Sequence, residues 1–210
     1  MTSKKQIKYV IMIAFVFCLS FIIMGDSRVD AKSKVVKVTV TEKNKSPEKN
    51  GSVGRCYGII KGIDKKGKTV WKYRTPIEEM GETSGVFHKT KGKYVYIMTA
   101  STFIKLEKGT GKEVCKEKNS YFYGATSFHV QKNGTCYVSK YFHNTLVKIS
   151  SNGKVIWVDD FSSTKYFWPY KVKMKKKTLI VWFESNYDDT FIPHKMVISK
   201  KNGDILSGKK

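Results

Sequence analysis

Arginine is nearly missing from this chain of 210 residues: it occurs only at Arg28, Arg55 and Arg74, although Lys and Arg together number 40. The planar fork of Arg is what phosphate and base-edge recognition favours, so a charge made almost wholly of Lys excludes a specific nucleic-acid reader. Acids are scarce as well, 17 against those 40 cations, and the net charge is +23. No carboxylate spacing nominates a glycosidase pair, and the adjacent Asp159 and Asp160 would point to opposite faces of a strand. Cysteine is limited to Cys18, Cys56, Cys115 and Cys136 with no C-x-x-C spacing, which excludes a disulfide framework and a zinc site. The last three read either as one bridge plus a free thiol or as small buried hydrophobes. There is no G-x-S-x-G elbow, H-E-x-x-H helix or phosphate-binding G-x-x-x-x-G-K-[ST] loop. No stretch sustains a 3.6-residue apolar period, so helix is expected to be nearly absent.

Long hydrophobic runs are limited to one, residues 9–24, which follows Lys4, Lys5 and Lys8 and precedes Val29-Asp30-Ala31. The run is shorter than the ~20 residues of an ordinary spanning helix, so residues 1–31 are expected to be a secretory signal cut after Ala31. An uncleaved membrane anchor through 9–24 is the alternative. Cys18 lies inside the run and not at its polar end, which argues against a lipoprotein anchor. Residues 32–210 are then expected to be one secreted or surface-held domain. They keep +21 of the chain's +23, because the leader holds Lys4, Lys5, Lys8 and Arg28 against Asp26 and Asp30. A diffuse Lys surface suits a nonspecific, screened association with an anionic cell-wall polymer or membrane surface.

What the sequence has in plenty is repetition. GIDKKGKTVWKYRT at 62–75 has a near twin in KISSNGKVIWVDDF at 148–161. Related hairpins centre on Gly67, Gly111, Gly153 and Gly203, spaced 44, 42 and 50 residues apart. Upstream of the last three lies a second hairpin each: VFHKTKGKYVYIM, SFHVQKNGTCYVS and YKVKMKKKTLIVWF. Periods of this length with two hairpins per unit predict an all-β propeller of about four four-stranded antiparallel blades of ~43 residues. Blades two, three and four are expected at about 85–118, 126–161 and 170–208. Blade one is irregular, with VVKVTVTE, CYGIIKGID and TVWKYRT suggesting three strands. The Asn-Gly pairs at 133–134, 152–153 and 202–203 predict type I′ turns.

GIDKKGKTVWKY, KLEKGTGKEVCKE and KISSNGKVIWVDD resemble the repeat of quinoprotein-type (PQQ-like) β-propellers. The resemblance implies that a Trp four residues after the turn Gly docks between blades. Cys115 and Ser207 depart from that pattern, and four blades is half the number usual in the family. Its quinone cofactor needs a calcium site and usually a vicinal Cys pair, for which this chain lacks the residues, so no cofactor is expected. A more distant similarity to arylsulfotransferase-type propellers implies a channel His as transient sulfo carrier. Phe87-His88 and Phe128-His129 share a register after Gly-x-Thr-Ser, so His88 and His129 are the weak catalytic candidates.

Loops between blades gather on one rim with the loops joining second and third strands. That rim is expected to carry Tyr121, Phe122, Tyr123, Tyr141, His143, Tyr166, Phe167, Trp168, Asp188 and Asp189, with Asn144 beside them. Exposed aromatics stack sugar rings or anchor a protein, and the polar residues supply hydrogen bonds. The same aromatics could instead wedge blades apart. The sequence therefore points to a non-enzymatic binding or scaffold propeller that engages a polysaccharide or protein. Two alternatives stand beside it: a small channel enzyme using His88 and His129, and a structural module that dimerises to complete a ring through an open sheet edge.

Overall fold

The computed structural model describes residues 34–45, 54–79, 85–140, 144–161, 167–184 and 194–208. The expected leader lies outside them. Val35–Lys210 make one compact unit, built as four antiparallel sheets in chain order. Blade two runs β5 (Phe87–Lys91), β6 (Tyr94–Met98), β7 (Thr102–Glu107) and β8 (Glu113–Lys118). Blade three is β9 (Ala125–Val130), β10 (Cys136–Lys140), β11 (Thr145–Ile149) and β12 (Val155–Asp160). Blade four is β13 (Phe167–Met174), β14 (Thr178–Glu184), β15 (His194–Ser199) and β16 (Ile205–Ser207). In each the strands pair only with their sequence neighbours, and the inner strands β5, β9 and β13 lie side by side. The chain is a four-bladed β-propeller. Helix is confined, among the described residues, to one 3₁₀ turn at Ser120–Phe122.

Blade one has three full strands: β1 (Lys37–Lys45), β2 (Arg55–Ile63) and β3 (Thr69–Arg74). The two-residue β4 (Glu78–Glu79) continues along the same edge of β2 beyond β3. The β2–β3 turn holds Gly67 and matches the turns at Gly111, Gly153 and Gly203. By that equivalence β1 stands where the other blades put their second strand, and the innermost position is the one without a counterpart.

The turns correct one expectation. Among the described residues only glycines and Asn144 have positive φ, so Asn133, Asn152 and Asn202 do not form type I′ turns. Around Gly67, Gly134 and Gly153 the chain instead closes a three-residue loop. Gly153 N–H donates to Ser150 O and Ser150 N–H to Lys154 O, and the other two repeat the pattern. This is a type I turn ended by a left-handed glycine, the bulge form of a tight hairpin.

Three apolar clusters join the blades in series. Val35, Ile60, Trp71, Ile97 and Leu106 pack between blades one and two. Tyr96, Met98, Phe103, Phe122, Phe128 and Val147 fill the seam between two and three. Tyr137, Phe161, Val172, Phe183 and Met196 fill the seam between three and four. Among the described residues no such cluster joins blade four to blade one. The outward sheet faces there are capped by cations instead, Arg74 4.2 Å over the Tyr57 ring on blade one and Lys171 5.1 Å over Trp182 on blade four. Cys56 and Cys136 are buried, Cys115 is half-buried, and all three thiols are free.

Candidate functional site: the rim cleft between blades one and two

A cleft of about 700 Å³ opens on the rim that carries the interblade connections. Four separate segments build it. Arg55 comes from the start of β2 and Ile77, Glu78 and Glu79 from the end of blade one, while Ser101, in the loop after β6, and Lys118, Asn119, Ser120 and Tyr123, at the end of β8 and just after it, come from blade two. Asn119 organises the last of these, its side-chain oxygen accepting the Tyr121 N–H at 2.9 Å to start the 3₁₀ turn.

Glu78 fixes the floor. It is 9% exposed, and its carboxylate accepts hydrogen bonds from Thr99 Oγ1 at 2.7 Å, Ser101 N–H at 2.8 Å and Thr102 Oγ1. These bonds tie blade one to the loop joining β6 and β7, and a carboxylate so engaged is a structural tie and not a free base. Above that floor the cleft presents the cations of Arg55 and Lys118, the exposed carboxylate of Glu79, the apolar face of Ile77 and the Tyr123 ring.

The 3₁₀ turn divides the expected aromatic run. Tyr121 and Tyr123 are 50% and 42% exposed, whereas Phe122 is fully buried in the seam between blades two and three. Phe122 is thus a core residue and presents no surface to a ligand, which corrects its assignment. Tyr141, His143, Tyr166, Asp188 and Asp189 lie outside the described residues; Phe167 and Trp168 begin β13, and their side chains lie outside the description. Arg55, Lys118 and Glu78 were not singled out from sequence, since each lies on a different segment and carries no motif.

The two histidines do not converge. Residues directly opposite on paired strands share a sheet face. Phe87 stands opposite Met98 and Phe128 opposite Val138, so both phenylalanines enter the seam between blades two and three. His88 stands opposite Ile97 and faces the seam between blades one and two; His129 stands opposite Tyr137 and faces that between three and four. The expectation of a shared channel position is corrected on this geometry. Burial, aided by the Lys89 charge, lowers the pKa of both, favouring neutral imidazole. Among the described residues no three His, Cys, Asp or Glu side chains gather as a metal ion requires.

The twin tryptophans also part company. Trp71 is 9% exposed, and its Nε1–H donates to Lys108 O at 2.9 Å across the first seam. Trp157 lies against Tyr137 in its own blade at a centroid distance of 5.9 Å, and its Nε1 has no partner. The residue opposite explains the difference: Gly62 leaves room for Trp71 to lie across it, whereas Lys148 fills that place beside Trp157.

No protein-family model and no curated protein matches the chain. Among solved structures it is similar to a protein of unknown function from Bacteroides caccae (TM-score 0.49, 11% identity), covering 74% of this chain and 57% of that one. It is also similar to the Neurospora crassa Pan2 WD40 domain (TM-score 0.48, 10% identity; 78% and 48% covered) and a streptogramin B lyase (0.46, 14%; 82% and 59%). The chain spans about half to three-fifths of the length of these structures.

Proposed function

We propose that the protein is an exported, non-enzymatic binding propeller. In this reading it holds a polysaccharide in the rim cleft while its basic surface keeps it beside the anionic cell envelope. The observation that carries the reading is the exposure of Tyr123, which lines the cleft together with Arg55 and Lys118, and of Tyr121 two residues before it. An exposed ring flanked by cations and amides suits an acidic sugar, whose pyranose face stacks while its carboxylate meets the charge. A protein loop is the other occupant such a rim accepts. The channel-enzyme alternative is weakened by the opposite facing of His88 and His129.

The test is a fluorescence titration with a uronic-acid polymer and with a neutral glucan. Tyr121→Ala with Tyr123→Ala is expected to weaken binding of the acidic polymer by about tenfold or more, and His88→Ala with His129→Ala to leave it unchanged. Binding by the tyrosine variant equal to that of the parent, or no binding of either polymer, overturns the reading. Export is checked by mass spectrometry of the protein recovered from cells: an N-terminus at Lys32 marks cleavage, and an intact leader marks an anchor.

A further inference from the structure

The rim opposite the aromatic one carries a second and chemically different site. Seven turns gather there: 64–68, 91–93, 107–112, 131–135, 150–154, 175–177 and 199–204. Together they hold fourteen lysines and three acids. Each acid is engaged within its own turn. Asp64 accepts from the Lys66 and Lys68 amides, Glu107 from the Thr110 hydroxyl, and Asp204 from the Asn202 side chain. The lysines of this rim therefore stand without carboxylate partners among the described residues; the ion pair that is formed among those residues, Lys116–Glu113, is not on this rim.

Between blades three and four the rim deepens into a groove of about 710 Å³. Inside it Lys148 Nζ donates to Lys200 O, and Lys200 Nζ donates to Lys175 O. Lys148 Nζ also reaches Lys201 O at 3.5 Å; since each ammonium has three donors, Lys148 keeps one to offer and Lys200 two. Lys148 also sits 5.9 Å over the Trp157 ring. Lys176, Lys177 and Lys201 line the same groove. A shallower hollow of about 400 Å³, lined by Lys91, Lys132 and Lys175, shares Gln131, Asn133, Lys176 and Lys200 with it, so the two form one continuous basic track. Burial and the nearness of Lys148 depress the Lys200 pKa, the mark of cations crowded without a counter-ion.

The geometry points to this track as a binding site for a linear phosphate polymer, a flexible chain with regularly spaced phosphates. The inference rests on the reading of the basic surface given above, and it adds the face and the ligand chemistry. Lysine is a compact point charge that accepts phosphate from many directions, which suits a flexible chain, while the near absence of Arg removes bidentate readout. Tyr137, the aromatic in the groove wall, is 1% exposed and offers no stacking surface for bases. A bilayer would need apolar side chains at the turn tips, and the turns are polar; a concave track fits a chain better than a flat surface.

The test is binding of the full-length protein to long-chain polyphosphate, with inorganic monophosphate and phosphatidylglycerol vesicles as the other arms. Two groove pairs, Lys148→Gln with Lys200→Gln and Lys176→Gln with Lys177→Gln, are compared with Lys61→Gln with Lys72→Gln, which removes the same charge from the outer face of blade one. The second groove pair lies in an exposed turn, where folding is not at stake. Expected are polyphosphate binding that weakens steeply with added salt, a loss of about tenfold or more for each groove pair, and about twofold or less for the control. Equal loss from the control pair, monophosphate binding as tight as polymer, or vesicle binding without polyphosphate binding overturns the proposal. Tyr121→Ala with Tyr123→Ala is expected to be silent in this assay, so failure of the cleft reading and failure of this one are distinguishable.

Discussion

Trp71 lies between two glycines of different blades: Gly62, its cross-strand partner on β2, and Gly111 in the β7–β8 turn of blade two. A Cβ at Gly111 would fall 2.5 Å from the indole, and one at Gly62 would collide with its Nε1 edge. Gly62→Ala and Gly111→Ala are therefore expected to destabilise the protein by about 1–3 kcal/mol through overpacking, Gly111 also carrying a φ of +71°. Gly67→Ala meets nothing within 4 Å and should cost only the left-handed backbone, about 1–2 kcal/mol. Trp71→Ala should cost about 3–5 kcal/mol. Urea unfolding curves of the four variants check the order.

Glu78 closes the same seam at the rim. Glu78→Ala strands the buried Thr102 hydroxyl and the Ser101 amide, while Thr99 Oγ1 keeps its bond to Thr102 O at 3.1 Å, and is expected to cost about 2–4 kcal/mol, with Glu78→Gln intermediate because an amide keeps one acceptor. Thermal unfolding of the two variants separates this structural role from a direct role in the cleft. Under the structural role, stability and ligand affinity fall together in Glu78→Ala and recover together in Glu78→Gln.

Asp159 gives the fold a pH dependence. Its Oδ2 is buried without a partner, and burial together with the Asp204 charge pushes its pKa up to about 7. A carboxyl raised above its ordinary range favours the folded state while protonated; that contribution is full below the unfolded pKa near 4 and is lost as pH rises through about 7. Asp159→Asn is expected to raise the melting temperature relative to the parent at pH 8 and to leave it nearly equal at pH 4. A constant difference across that range would sink the assignment.

The outward faces of blades one and four each carry a cluster of cations. Lys61, Lys72 and Arg74 share the first face; Lys171, Lys173 and Lys195 share the second. Stacking one face on the other would bring six cations together, so the protein is expected to stay a single chain by light scattering across a hundredfold range of concentration at low salt. A doubled mass would instead favour a second copy docked at the free edge of β1.

Much of the architecture was legible because a left-handed glycine is a backbone demand written in one letter: Gly67, Gly111, Gly153 and Gly203 all have positive φ and mark the outer hairpins. The facing of the histidines was legible in principle and was missed. Phe87 stands four residues before Lys91, which closes its turn, and Phe128 three before Gln131, so one residue of difference turns the two strands to opposite sides. Phe122 could not be sorted from Tyr121 and Tyr123 by composition, because a three-residue turn decides which ring goes inward. The cleft was not legible, since Arg55, Glu78 and Lys118 meet only once two blades are packed.

Three seams for four blades have a mechanical meaning. Blades two and three are each clasped on both sides, whereas among the described residues blades one and four are each held by one apolar cluster. In such a row the end units lose half as much packing when they detach, so opening starts at the ends and the middle pair lasts longest. The rim cleft straddles the joint of an end blade and the lysine track straddles the joint of the other. Each ligand would thus clamp the blade most prone to leave, and occupancy at either site would be readable as slowed amide exchange in blade one or in blade four alone.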